Sequence, residues 1–152
     1  MKLPIPDTLN QMRQEIAITL DAVIFKDLNT SARILLIKRK NDPFKNSWAL
    51  PGGFLEETEE LVEGAKRELL EETGLEVEDL KQLKTYGDLN RDPRGRTISI
   101  AFIGTLNKEV KIKAGYDAKE ANWFGLDELP DLAFDHSEII EDAKKYLQTK
   151  NL

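Results

Sequence analysis

The spacing of apolar and polar positions changes several times along the chain. "EIAITLDAVIFK" (Glu15 to Lys26) is dense in β-branched and apolar residues and predicts a strand. "LNTSA" (Leu28 to Ala32) predicts a turn and "RILLIKRK" (Arg33 to Lys40) a second strand, so the two form a hairpin. After the loop "NDPFKNS", the segment "WALPGGF" (Trp48 to Phe54) reads as a short extended piece broken by Pro51, Gly52 and Gly53. A helix is expected from Thr58 or Glu59 to Thr73, with Thr58 as N-cap, Glu59 and Glu60 at the positive end of the dipole, and Gly74 as a left-handed C-cap. Strands follow around Asp79 to Leu89 and Thr97 to Leu106, separated by "NRDPRGR". "EVKIKAG" (Glu109 to Gly115) reads as a loop or short strand, and "ANWFGL" (Ala121 to Leu126) as a strand. A last helix spans Ser137 to Lys150, capped by Asp135 or Ser137. Strands interleaved with two helices predict an α/β or α+β sandwich, one domain over residues 1–152.

The first helix carries an internal conflict. At about 100° per residue, Leu61, Val62, Ala65 and Leu69 form one apolar stripe. Glu72 falls inside that stripe, Glu68 lies at its edge and Glu71 lies beside them. Two ionised carboxylates against a packed surface raise each other's pKa and cost several kcal/mol to desolvate. A hard divalent cation would resolve the conflict, because such ions take carboxylate oxygens. Arg67 stands four residues before Glu71, within reach of a charge-assisted, bidentate bond. On the wheel alone, a metal site and a surface ion-pair ladder fit equally well.

Composition narrows the choice. The 152 residues carry a formal charge of −6. Between Glu56 and Asp79 eleven acids face only Lys66 and Arg67, a net of −9, which leaves about +3 for the rest of the chain. An acidic balance argues against a nucleic-acid partner. An acidic cluster beside a weakly basic remainder suits divalent cations and, through them, phosphates. The absence of cysteine excludes disulfides and thiolate metal sites and is compatible with a cytoplasmic location. The N-terminal stretch "MKLPIPDTLNQMRQE" lacks the apolar core of a signal peptide, and no apolar run reaches the length of a membrane span.

The segment "GFLEETEELVEGAKRELLEETGL" (Gly53 to Leu75) resembles the Nudix box, G-x5-E-x7-R-E-U-x-E-E-x-G-U, with U a bulky aliphatic. Gly53, Glu59, Arg67, Glu68, Leu69, Glu71, Glu72, Gly74 and Leu75 occupy every fixed position. The resemblance implies a Nudix-type α/β/α sandwich with a mixed sheet, and Mg²⁺- or Mn²⁺-dependent hydrolysis of a nucleoside diphosphate linked to another moiety. It implies Glu68 and Glu72 as metal ligands, Glu71 as ligand to a second ion or to water on the metal, and the Gly52 carbonyl as a backbone ligand. Arg67 would orient the carboxylates through Glu71 or Glu59. The general base of such enzymes often comes from a late loop, where Glu120 in "YDAKEANWFGL" is the candidate and Glu71 the alternative.

Three further stretches, "DPFKNSWALPGGF", "DLNRDPRGRTISIAF" and "LAFDHSEII", resemble the compact ADP-ribose pyrophosphatase branch. The implied reaction converts a nucleotide-sugar substrate, ADP-ribose, to AMP and ribose 5-phosphate. Arg91, Arg94 and Arg96 could meet phosphate or ribose oxygens with forked donors, and Arg39 could reach the diphosphate. Phe44 and Trp48 could stack an adenine, although an aromatic near a Pro-Gly turn is more often packing. His136, the only histidine, suits a helix start or a packed core better than catalysis. Two alternatives stay open: a nucleoside triphosphate pyrophosphohydrolase, and a sugar-nucleotide sensor of the same branch. The resemblance also leaves a homodimer open.

Overall fold

A computed structural model describes residues 13–107, 110–115 and 118–150. The stretch read above for a targeting segment lies outside them over residues 1–12, as does Glu109 of the segment Glu109 to Gly115. Among the described residues, seven strands and two helices follow in the order β1 (Ala17–Lys26), β2 (Arg33–Arg39), β3 (Trp48–Ala49), β4 (Gly52–Phe54), α1 (Leu61–Thr73), β5 (Lys81–Tyr86), β6 (Thr97–Leu106), β7 (Ala118–Gly125) and α2 (His136–Lys150). Among the described residues no helix is long and apolar enough to cross a membrane.

The alternation along β1 sets the layers. Ala22 and Ile24 pack with Leu69 of α1, and Leu20 with Ala65. Val23 and Phe25, one residue out of step, pack with Ile139, Ile140 and Ala143 of α2. A strand that is apolar on both faces needs a helix on each, which gives the α/β/α sandwich expected from the sequence. β1 runs parallel to β6 in unbroken register from Ala17↔Thr97 to Lys26↔Leu106, and β5 adds antiparallel to β6, so the sheet is mixed.

One topological detail positions the site. β1 and β2 pair only at their hairpin end, Phe25↔Ile34 and Lys26↔Arg33, and then part. The short strands β3 and β4 occupy the opening. β3 pairs with β2 at Ile37↔Ala49, and β4 pairs with β1 at Leu20↔Gly53 and Asp21↔Gly52. The glycine pair is thereby wedged between β1 and α1.

Two expected boundaries move. The first helix begins at Leu61, not near Thr58, and its N-cap is Glu60, whose side chain makes no capping bond. The reason is Glu59, whose Oε1 accepts the N–H of Glu56 at 2.9 Å and whose carboxylate pairs with Arg67, holding the preceding residues in a turn. β7 begins at Ala118, not Ala121, so Glu120 stands inside a strand opposite Lys38 of β2, not in a loop ahead of it. Gly74 is the left-handed C-cap expected, at φ 74°, with its N–H on the carbonyl of Leu70 at 2.9 Å. Val110 to Gly115 is a loop, and it closes the end of α1. The N–H of Lys113 binds the Thr73 carbonyl at 2.7 Å, and that of Gly115 binds the Glu72 carbonyl at 3.1 Å. Those are carbonyls that a helix C-terminus cannot satisfy from within.

Candidate active site

Arg67 organises the carboxylates. Its Nε and Nη2 donate to the two oxygens of Glu59, both at 2.8 Å, in a fork. Its Nη1 donates to Glu68 Oε1 at 2.9 Å and to Glu71 Oε2 at 3.1 Å, and Nη2 reaches the Phe54 carbonyl at 3.1 Å. One guanidinium thus ties β4 to α1 and holds three acids that would otherwise repel. The hydrogen bond to Glu59 is the largest reason that Arg67 is held more firmly protonated than a free arginine, and the same bond holds the Glu59 carboxyl below its ordinary range. Glu68 moves the other way. Burial pushes its pKa up, the charges of Glu71 and Glu59 add to that, and Arg67 offsets only part.

The two glycines let backbone meet carboxylate. A Cβ on Gly53 would stand 2.5 Å from Glu68 Oε1, and one on Gly52 would stand 2.2 Å from the Leu20 carbonyl oxygen. Neither leaves room for a side chain. Glu72 is almost wholly buried, and its Oε1 accepts the N–H of Gly52 at 2.7 Å. The amide of Gly52 is therefore engaged with an acid expected from the sequence to hold metal.

These groups line a cavity of about 440 Å³. Gly52, Gly53, Arg67, Glu68 and Glu72 form one wall; Arg39, Arg91 and Arg94 line it as well. Asp21 and His136 also border the cavity. Ser99 Oγ donates to Asp21, His136 Nε2 stands 3.6 Å from the same carboxylate, and His136 Nδ1 accepts the N–H of Leu50 at 3.0 Å. A ring that accepts at Nδ1 is neutral there, and burial pushes its pKa below the usual 6.5. His136 opens α2 and is buried, as its setting in the sequence suggests.

The other expected residues divide between the cavity and places away from it. Arg91 borders the cavity, yet its fork is closed on Asp135 at 2.8 and 2.6 Å, which braces the start of α2. Arg94 is held by Asp92 through bonds at 3.1 and 2.8 Å. Burial raises the Asp92 carboxyl, but the Arg94 bonds and the charges of Arg94 and Arg91 outweigh it and leave the pKa lowered. Arg96 donates to the Gly87 carbonyl at 2.6 Å and borders a second, neighbouring cavity instead. Trp48 packs edge-on against Phe124 at 4.7 Å, beside the core. Phe44 packs on Phe134 at 4.8 Å rather than lining the cavity. Glu120 pairs with Lys38 at 3.7 Å, is largely exposed, and is absent from the cavity wall, as is Glu71.

Among the wall residues that sequence reasoning missed are Asp21, Asp92 and Phe134. Asp21 is a lone acid inside an apolar strand, a signal that could have been used. Asp92 lies two residues from Arg94, where a short local pair is legible in hindsight. Phe134 carries no local signal at all.

The oxygen-only set of Glu68, Glu72 and the neighbouring backbone fits a hard divalent cation. Glu68 is pushed toward its neutral form by burial, a cost that a cation would remove. Among the described residues, no three acidic or histidine side chains stand ready as a cage. Glu68 and Glu72 now serve Arg67 and the Gly52 N–H, bonds that an arriving cation would have to share.

The NUDIX domain model matches residues 18–143. The chain is 50% identical over 136 residues to the ADP-ribose pyrophosphatase of Methanocaldococcus jannaschii, covering 89% of this chain and 75% of that protein. It is 36% identical over 136 residues to the ADPR responsive transcriptional repressor NtrR of Acinetobacter baylyi, covering 87% of this chain but 54% of the repressor, about half its length. The NUDIX domain of Shewanella oneidensis NrtR, solved with ADP ribose, superposes with a TM-score of 0.84 at 31% identity, over 90% of this chain and 92% of that one.

Proposed function

The chain belongs to the Nudix family, and from that premise we propose that it hydrolyses the pyrophosphate bond of ADP-ribose, giving AMP and ribose 5-phosphate. The observation that carries this reading is the complete box, folded so that Glu68 and Glu72 meet Gly53 and Gly52 on the wall of a cavity whose other residues include Arg39 and Arg94. The 50% identity to an ADP-ribose pyrophosphatase supports the substrate.

In this reading Glu68, Glu72 and the backbone at Gly52 would hold Mg²⁺ or Mn²⁺. Such an ion, when bound, neutralises diphosphate charge and makes water more acidic. The chain's own residues do the rest. Arg67 keeps Glu68 and Glu71 in one orientation through Nη1. Arg39 and Arg94, which line the same cavity, would meet the diphosphate. Neither candidate base lines the cavity; Glu71 lies nearer the metal-binding acids, because it shares a guanidinium with Glu68, whereas the Glu120 carboxylate is turned to Lys38.

Incubation with Mg²⁺ and a panel of ADP-ribose, NADH, diadenosine compounds and nucleoside triphosphates tests the reading. AMP and ribose 5-phosphate are expected from ADP-ribose. Pyrophosphate released from a triphosphate, with ADP-ribose untouched, overturns it in favour of a pool-cleaning hydrolase. The likeness to a repressor supports a second reading, in which the chain binds ADP-ribose without cleaving it. Saturable binding with no product in the same assay would establish that one.

A further inference from the structure

Along one side of the cavity, four side chains alternate aromatic and cationic. The Arg94 guanidinium lies 4.7 Å from the Phe54 ring centroid and 5.4 Å from that of Phe134. Arg39 lies 5.1 Å from the same Phe134 ring. All four residues line the cavity. Two guanidiniums thus share one ring. Each is also anchored from behind: Arg39 Nε donates to the Pro43 carbonyl at 2.7 Å, and Arg94 is forked on the buried Asp92. Phe134 itself sits at φ 52°, in the left-handed region that a bulky residue rarely adopts, and Phe44 packs against it at 4.8 Å. Strain of this kind persists only where the surroundings over-determine it and clusters at ligand sites.

We propose that Phe134 is a positioning residue whose ring holds Arg39 and Arg94 in place to receive the diphosphate of a nucleoside diphosphate. It rests on reading the cavity as a diphosphate site. The ring's negative face attracts each guanidinium, which limits how far either swings before substrate arrives. Phe134 makes no bond to the reacting atoms; it acts through the arginines, so its loss should weaken ground-state binding more than turnover.

A change in ring electronics at constant shape separates this role from packing. Replacing Phe134 by its 3,4,5-trifluoro analogue keeps the side chain's outline and removes most of the quadrupole. Phe134→Tyr keeps the quadrupole, and Phe134→Leu removes the ring. Calorimetry with ADP and with adenosine, without added metal, reads the binding site directly. The fluorinated protein and Phe134→Leu are each expected to bind ADP about fivefold more weakly, with adenosine unchanged and Phe134→Tyr close to the parent. With ADP-ribose as substrate, KM should rise by a similar factor while kcat stays within about twofold. Equal losses for ADP and adenosine, or no change on fluorination, overturn the proposal. If Phe134→Leu does not fold, the fluorinated protein alone decides. Should the parent leave ADP-ribose uncut yet the ADP and adenosine results separate as described, the substrate reading fails and the positioning role stands.

Discussion

The Glu68 carboxylate occupies the place where Gly53 would carry a side chain: a Cβ there would lie 2.5 Å from Oε1 and 2.6 Å from the carboxyl carbon. The absent methyl group is thus what allows an acid of α1 to lie directly against the backbone of β4. Gly53→Ala forces one of the two to move. Overpacking of this kind costs about 1–3 kcal/mol. Displacing a positioned group by even about 1 Å costs activity on the order of a hundredfold. Activity is therefore expected to fall far more than stability, and thermal melts beside steady-state kinetics check it. Comparable activity in the variant would show that the contact has no catalytic consequence.

Glu72→Gln should leave the fold intact. The amide keeps an oxygen to accept the Gly52 N–H now bound at 2.7 Å, and it removes a buried charge. What it loses is the anionic ligand, which for charge stabilisation by a metal is worth several kcal/mol, or roughly a thousandfold in rate. Mn²⁺ titration calorimetry should show weakened binding with an unchanged melt. Full turnover would sink the ligand assignment.

Glu71→Gln and Glu120→Gln separate the two candidate bases. Loss of a positioned general base removes about 10²–10⁴-fold. The larger loss is expected at Glu71, which shares Arg67 with Glu68. Glu120 is largely exposed and paired with Lys38 at 3.7 Å, so its removal should cost well under 1 kcal/mol of stability and little activity. The kcat values of the two variants at saturating Mg²⁺ decide; a greater drop at Glu120 reverses the roles.

His136 should impose a pH dependence on stability. Burial lowers its folded pKa below 6.5, so the neutral ring is the native form. Above 6.5 both folded and unfolded chains carry it neutral, and its contribution is fully present. As pH falls below 6.5 the unfolded chain takes up a proton that the folded one refuses, and stability drops by about 1.4 kcal/mol per unit until the folded pKa is reached. His136 is the only histidine, and His136→Gln, which can still accept from Leu50, should flatten that limb in urea unfolding between pH 5 and 7. An identical slope in the variant would assign the effect to other groups.

Much of the first helix was legible before any coordinates. The conflict between Glu72 and the apolar stripe of Leu61, Ala65 and Leu69 is real: Glu72 is buried with Ala65 and Leu69. Arg67 was expected to hold Glu71 or Glu59, and it holds both, with Glu68 besides. The aromatic candidates fared differently. Trp48 beside a Pro-Gly turn suits packing more often than a base, and β3, inserted between parting strands, turns it toward Phe124. Arg91 looked like its neighbours Arg94 and Arg96, yet each of the three has a different partner, supplied by Asp135, Asp92 and the Gly87 carbonyl.

The division follows from range. Helical spacing, the N-terminal acids, the glycine at the C-cap and the fixed spacing of Arg67, Glu68, Glu71 and Glu72 are local, and residues three and four apart on a helix meet whatever surrounds them. By itself the chain therefore determined the two helices of the described residues, the main strands, and the acids that crowd one face. The cavity that those acids border is also lined by Arg39, Arg94 and Phe134, which lie on three segments far apart in sequence. Only the parting of β1 from β2, the wedge of β3 and β4, and the docking of α2 on the sheet decided that these three would meet, because strand pairing and register join distant residues by a pattern that no short stretch contains.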